Sequence, residues 1–220
     1  MKIYKRKIFS LLKRPNLFAL IFYCNDVRVG GLGFTFIFEN LIIKVRDKNR
    51  IKEKKYQFNK YKIWTLKDIK YEKKKFQTLN KKKATIIKNR LYLEKIDGKS
   101  LIYYINTDEF WNLLNKSIEK LKKIDYHGDF HLDNILVGQN CEIYFIDFEY
   151  SYHSRLKGYE KEIDILLLLY ELKKQFPKFF KVSVIKLKGL IFRHFEKNNL
   201  LKAKELIKNY LKDEIDEIFE

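Results

Sequence analysis

The chain has 220 residues, of which 46% are hydrophobic and 16% aromatic, with two prolines, so it is not a disordered polymer and can bury one sizeable core or two small lobes. Its net charge of +19 is held unevenly: residues 1–100 carry 28 Lys/Arg against 8 Asp/Glu, and residues 101–220 carry 19 against 20. The two cysteines, Cys24 and Cys141, lack metal-ligand spacing, which argues against a disulfide framework and for a reducing compartment.

Residues 1–16 form a basic segment, followed by a short apolar run, Leu17–Cys24. The run lacks a small-residue cleavage site, and no stretch approaches the ~18 apolar residues of a membrane span. The expected location is therefore cytoplasmic, with peripheral contact at the inner membrane face through a basic amphipathic N-terminus. Codon bias accounts for a Lys-rich chain, but poorly for a one-sided one. The excess over residues 1–100 suits phosphate-rich partners, including nucleotide, nucleic acid, anionic lipid or phosphorylated glycan.

Residues 17–29 and 34–45 read as strands rich in Phe, Ile, Leu and Val, with glycines 30, 31 and 33 between them. Glu39-Asn40 is a turn between Phe34–Phe38 and Leu41–Val45. A helix is expected over about residues 67–80, two short strands over Ala84–Ile87 and Leu91–Leu93, and a turn at Asp97-Gly98. Asn106 with Glu109 three residues later resembles a helix start. Phe110, Leu113, Leu114, Ile118 and Leu121 then keep a helical period. Residues 132–147 return to short strands around Gly138. Three helices follow from Glu160, with breaks near Pro177 and Asn198-Asn199.

The segment His127-Gly128-Asp129-Phe130-His131-Leu132-Asp133-Asn134-Ile135-Leu136-Val137 is followed by Ile143-Tyr144-Phe145-Ile146-Asp147-Phe148-Glu149. Phosphoryl transfer needs a carboxylate that orients the acceptor hydroxyl and oxygen ligands that hold Mg²⁺ on the phosphates. Asp129, Asn134 and Asp147 supply these groups. The five-residue step lets one loop present the first two, and the thirteen-residue step leaves room for a strand, a turn and a returning strand.

These segments resemble the catalytic loop and metal-binding motif of the protein-kinase-like superfamily. The resemblance implies ATP and Mg²⁺ as cofactors, Asp129 as the catalytic residue, and Asn134 and Asp147 as metal ligands. Upstream, Leu41-Ile42-Ile43-Lys44-Val45 is similar to the strand whose lysine binds nucleotide phosphates. A lysine in an apolar strand needs a partner, and Glu72 is the best candidate. Gly30, Gly31 and Gly33 resemble the phosphate-covering loop, although a plain hairpin turn would look the same. The stretch around Glu94 and Ile96 resembles the hinge that meets adenine through backbone groups.

Departures narrow the branch. Gly128 stands where many protein kinases carry arginine, His131 where they carry lysine, and Glu149 where they carry glycine. His-Gly-Asp-x-His and Asp-Phe-Glu-Tyr resemble aminoglycoside and choline phosphotransferases. Asp164 matches the structural aspartate of the following buried helix. It lies seventeen residues after Asp147, which leaves no room for a long activation segment. The compact size and basic first half resemble bacterial lipopolysaccharide-core heptose kinases, and also RIO-like atypical kinases with their tRNA-modification relatives. The preferred acceptor is a sugar hydroxyl of lipopolysaccharide core on a membrane-anchored glycolipid. The alternatives are an aminoglycoside- or choline-type small molecule, or a RIO-like protein kinase or ATPase linked to tRNA or ribosomes.

The expected fold is α+β and two-lobed. Residues 1–96 form a nucleotide-covering lobe of antiparallel sheet plus one helix, and residues 97–220 a small, mainly helical catalytic lobe.

Overall fold

The computed structural model describes residues 20, 23–29, 33–46, 52–53, 61–62, 66–148, 158–211 and 214–220. These divide into two compact units, one ending at Ile96 and the other beginning its main body at Asp97. The fold class is the expected one: an α+β chain with an N-terminal antiparallel sheet and one helix, then a mainly helical part.

In the first unit, β1 (Asp26–Val29), β2 (Gly33–Ile37), β3 (Leu41–Arg46), β6 (Ala84–Ile87) and β7 (Arg90–Glu94) make a five-stranded antiparallel sheet in the order β1-β2-β3-β7-β6. In sequence between β3 and the helix come β4 (Lys52–Glu53) and β5 (Tyr61–Lys62), which pair with each other as a separate two-stranded sheet. The Glu39-Asn40 turn is where the alternation of Phe34–Phe38 and Leu41–Val45 requires it, closed by Phe38 N–H donating to Leu41 C=O at 2.8 Å. Alternation sends Phe34, Phe36, Ile43 and Val45 to one face, where Leu20 and Cys24 also pack. Helix α1 (Leu66–Asn80) buries a stripe of Ile69, Glu72, Phe76 and Asn80, spaced three and four residues apart.

Two readings of this half are corrected. Strand β1 begins only at Asp26: Leu20 and Tyr23 are helical, and Cys24 N–H donates to Leu20 C=O at 3.1 Å. An eight-residue apolar run fits helix or strand equally, and only tertiary context decides. Asp97-Gly98 is not a hairpin turn either, because Gly98 opens strand β8 (Gly98–Ser100).

In the second unit, β8, β9 (Ile135–Gly138) and β10 (Ile143–Phe145) form a three-stranded antiparallel sheet in the order β10-β9-β8. Gly98 pairs with Gly138, and a Cβ at Gly98 would lie 2.7 Å from the Val137 carbonyl oxygen, so only glycine fits. Helix α2 (Phe110–Lys122) buries Phe110, Leu113, Leu114, Ile118 and Leu121, as the period predicts. Its start is not the expected capping box. Glu109 is the cap residue, has helical backbone and makes no side-chain capping bond, while Phe110 N–H donates to Thr107 C=O at 3.2 Å.

Helix α3 (Glu160–Gln175) buries every residue from Ile163 to Leu169, as a central helix must. It packs on α4 (Pro177–His194) and α5 (Lys197–Leu206), with α6 (Lys208–Leu211) following. Pro177 takes the first turn of α4, where its missing N–H is harmless. The second break falls at Phe195-Glu196 rather than at Asn198-Asn199, which lie inside α5.

Candidate active site

In the first unit, the centre of interest is Lys44 on β3. Its register partners are Thr35 on β2 and Leu91 on β7, so it sits mid-sheet, 8% exposed. Its Nζ donates to Oε1 of Glu72, which is 2% exposed on α1. An unpaired ammonium in this setting would carry a heavy desolvation cost, so the ion pair is what allows a cation at this buried mid-sheet position.

Gly33 opens β2 opposite Arg46, and Gly30 and Gly31 lie outside the described residues. Glu94 ends β7 with its carboxylate accepting from Lys82 Nζ and Lys83 N–H, each at 3.0 Å. The Lys83 N–H, then Lys82, holds that carboxyl below its usual range. The Glu94 N–H donates to Lys83 C=O and the Lys95 N–H to Asn40 C=O. Ile96 is buried at the end of this unit.

In the second unit, the loop between α2 and β9 is held by its own side chains and by α3. Asp164 is fully buried and accepts two backbone N–H groups, from His127 at 2.6 Å and Gly128 at 3.0 Å. Gly128 has φ +89°, a conformation that disfavours side-chain-bearing residues, so glycine rather than arginine follows from the backbone geometry. The His127 ring is buried against Phe148 at 4.7 Å, Phe130 at 5.6 Å and Phe145 at 5.7 Å. This aromatic cluster joins the loop to the residue that follows Asp147.

Asn134 closes a 3₁₀ turn, Leu132–Asn134, its own N–H donating to His131 C=O at 3.0 Å. Its side-chain Nδ2 donates to the Asp129 carbonyl at 2.8 Å and lies 3.3 Å from Asp129 Oδ2. Its backbone carbonyl accepts from Ile146 N–H at 3.0 Å, which tethers the chain one residue before Asp147. Asp147 itself has φ +59°, an uncommon conformation for a residue with a side chain and one that concentrates at functional sites.

His131 Nε2 lies 3.6 Å from Asp129 Oδ2 and 2.9 Å from Asn134 Nδ2. Burial alone would lower its pKa. The Asp129 hydrogen bond and the charges of Asp129, Asp133 and Glu171 outweigh that and move it above the ordinary histidine value.

Asn134 is thus bonded to Asp129 through its side chain and, through its backbone carbonyl, to Ile146, the residue before Asp147. Among the described residues no hydrogen bond uses Asn134 Oδ1, because the amide nitrogen makes the contacts to Asp129. An amide oxygen and a carboxylate suit a hard cation such as Mg²⁺, which takes one or two protein ligands plus substrate oxygens. Among the described residues no group of three or more His, Cys, Asp or Glu could hold a metal.

Two structural contributors were not legible as such from sequence. Ser100 Oγ donates to Leu132 C=O at 2.9 Å and braces the loop from β8. Phe130 and Phe145 meet edge to face at 5.3 Å beneath it. The aromatic residues at 130, 145 and 148 were a usable signal, whereas a lone serine was not.

No family model matches the chain, and no curated protein matches it in sequence. Solved structures similar to the chain include two kinases. One is the Rio2 kinase from Chaetomium thermophilum in its ADP/Mg²⁺-phosphoaspartate complex, at 15% identity and TM-score 0.47, covering 88% of this chain and 69% of that one. The other is a choline/ethanolamine kinase family protein from Mesorhizobium loti, at 13% identity and TM-score 0.46, covering 98% and 97%.

Proposed function

We propose that this chain is an ATP- and Mg²⁺-dependent phosphotransferase acting on an alcohol group. The observation that carries the reading is the Asn134 arrangement: one residue orients Asp129 through its amide, offers Oδ1 beside it, and ties down the backbone entering Asp147. Bound Mg²⁺ would neutralise charge on the transferring phosphoryl group, with Asn134 Oδ1 and the Asp147 carboxylate as its protein ligands. Asp129 would orient the acceptor hydroxyl and take its proton late. Lys44, oriented by Glu72, would bind nucleotide phosphate, helped by backbone N–H groups at Gly30, Gly31 and Gly33. Glu94 and Ile96 would meet adenine through their backbone.

For the acceptor we favour a sugar hydroxyl of lipopolysaccharide core. The support is the charge asymmetry, 28 Lys/Arg against 8 Asp/Glu in residues 1–100, which suits an anionic acceptor better than a cationic aminoglycoside or choline. The test is a transfer assay with γ-labelled ATP and Mg²⁺, offering dephosphorylated lipopolysaccharide core, aminoglycoside, choline and protein in parallel. Label on the core sugar, absent with Asp129→Asn, is the expected result. Label on another acceptor would replace the substrate, and no Mg²⁺-dependent nucleotide binding would overturn the phosphotransferase reading itself.

A further inference from the structure

Helix α4 has an unusual outer face. It carries five cations, Lys178, Lys181, Lys186, Lys188 and Arg193, and no carboxylate. Its inner face buries Phe180, Ser183, Leu187, Leu190 and Ile191. Residues 178, 182, 185 and 189 follow the four-three-four spacing of a single stripe opposite that core. Val182 is 84% exposed and Ile185 87%, and a Cβ built at Gly189 would meet nothing within 4 Å.

Isolated exposed aliphatics are ordinary. Here two stand one helical turn apart in one stripe, with Lys178 above them and Lys181 and Lys188 on one flank. On the other flank Lys186 sits 4.3 Å over the half-buried Trp111 ring, which stacks on Phe179 at 5.8 Å. Protruding aliphatics flanked by cations, with an aromatic shoulder and no acidic residue on the helix itself, complement a surface that is apolar at depth and anionic at its top. A nucleic acid would match the cations but leave Val182 and Ile185 without a role. Among the described residues no helix is long and apolar enough to cross a membrane.

We propose that the Lys178–Val182–Ile185–Gly189 face of α4 docks this chain on an anionic phospholipid bilayer, with Val182 and Ile185 entering the headgroup boundary and Lys178, Lys181 and Lys188 meeting lipid phosphates. This inference stands apart from the phosphotransfer reading, and its test uses no ATP.

The test is flotation of the full chain with phosphatidylcholine vesicles, with and without phosphatidylglycerol, at low and high salt. Wild type binds only the anionic vesicles, and less at high salt. Val182→Ser/Ile185→Ser changes no charge and lowers the partition coefficient on the order of tenfold. Lys178→Gln/Lys181→Gln/Lys188→Gln lowers it as well and flattens its salt dependence. Both variants replace side chains that are exposed or, at Lys188, half-buried, and their thermal midpoints stay at the wild-type value. As an independent readout, Ile185→Trp gives a blue-shifted emission on adding anionic vesicles. Wild-type binding by the serine variant would show general adsorption of a basic protein and overturn the proposal. So would failure of wild type to float at low salt.

Discussion

The side-chain amide of Asn134 reaches back five residues to the carbonyl oxygen of Asp129, 2.8 Å away, so the candidate metal ligand also positions the candidate catalytic carboxylate. Two roles on one side chain predict a larger effect of mutation than either role alone. Asn134→Ala is expected to lower kcat by about 10²-fold or more, since misplacing a reacting group by an ångström has that effect. It should also raise the Mg²⁺ concentration needed for half-maximal rate. Asp129→Asn is expected to lower kcat by about 10²–10⁴-fold while nucleotide titration stays unchanged, because the carboxylate serves the acceptor. Steady-state rates against Mg²⁺ and ATP separate the two. Equal Mg²⁺ dependence in wild type and Asn134→Ala would remove Asn134 from the metal site.

The Lys44–Glu72 ion pair makes a different prediction, because both groups are buried. Lys44→Met leaves a carboxylate uncompensated and should destabilise the protein by about 3–5 kcal/mol. Lys44→Met/Glu72→Leu replaces the pair by apolar side chains and should recover most of that stability. Activity should not return in the double variant, since the phosphate contact is gone. Urea unfolding with parallel kinetics checks both statements. A double variant as active as wild type would make the pair purely structural.

Local signals carried far in this chain, and non-local ones did not. The alternation of Phe34–Phe38 and Leu41–Val45 around Glu39-Asn40 needs only neighbouring residues, and β2 and β3 follow it closely. The two short strands around Gly138 that separate Asn134 from Asp147 were equally legible, because they too are local. Strand β8 was misread as a turn because its partner Gly138 lies forty residues away. The helical conformation at Leu20 and Tyr23 was missed because an apolar run carries no decisive period. The exposed stripe of α4 was invisible, since Val182 and Ile185 look like core until α3 is seen to cover the other face.

Asp164 accepts the N–H groups of His127 and Gly128 at 2.6 and 3.0 Å from full burial, so it fixes the backbone that leads into Asp129. Asp164→Ala leaves both donors buried without that acceptor and should cost about 3 kcal/mol or more. Asp164→Asn keeps one acceptor oxygen and should cost roughly half as much. Both should lower kcat more than they raise the KM for ATP, because the displaced group is Asp129. Chemical denaturation together with a kcat and KM split tests this. Wild-type stability in Asp164→Ala would show that the clamp is dispensable.

The last prediction follows from His131, whose ring lies 3.6 Å from the Asp129 carboxylate. Burial lowers its pKa, but Asp129, Asp133 and Glu171 together move it above the ordinary value. A folded-state pKa above the unfolded one means that the folded chain binds the proton more tightly. The resulting stabilisation is complete below the unfolded pKa of about 6.5 and is lost as pH rises through the higher folded value. His131→Gln cannot titrate and lacks this contribution. The stability difference between wild type and His131→Gln should therefore be largest near about pH 5 and shrink steadily toward about pH 8. Urea unfolding of both proteins across that range gives the difference directly. Asp129→Asn should also reduce the pH dependence, since it removes the carboxylate nearest the ring. A wild-type minus variant difference that stays flat, or grows with pH, would show that His131 is not held as a cation beside Asp129.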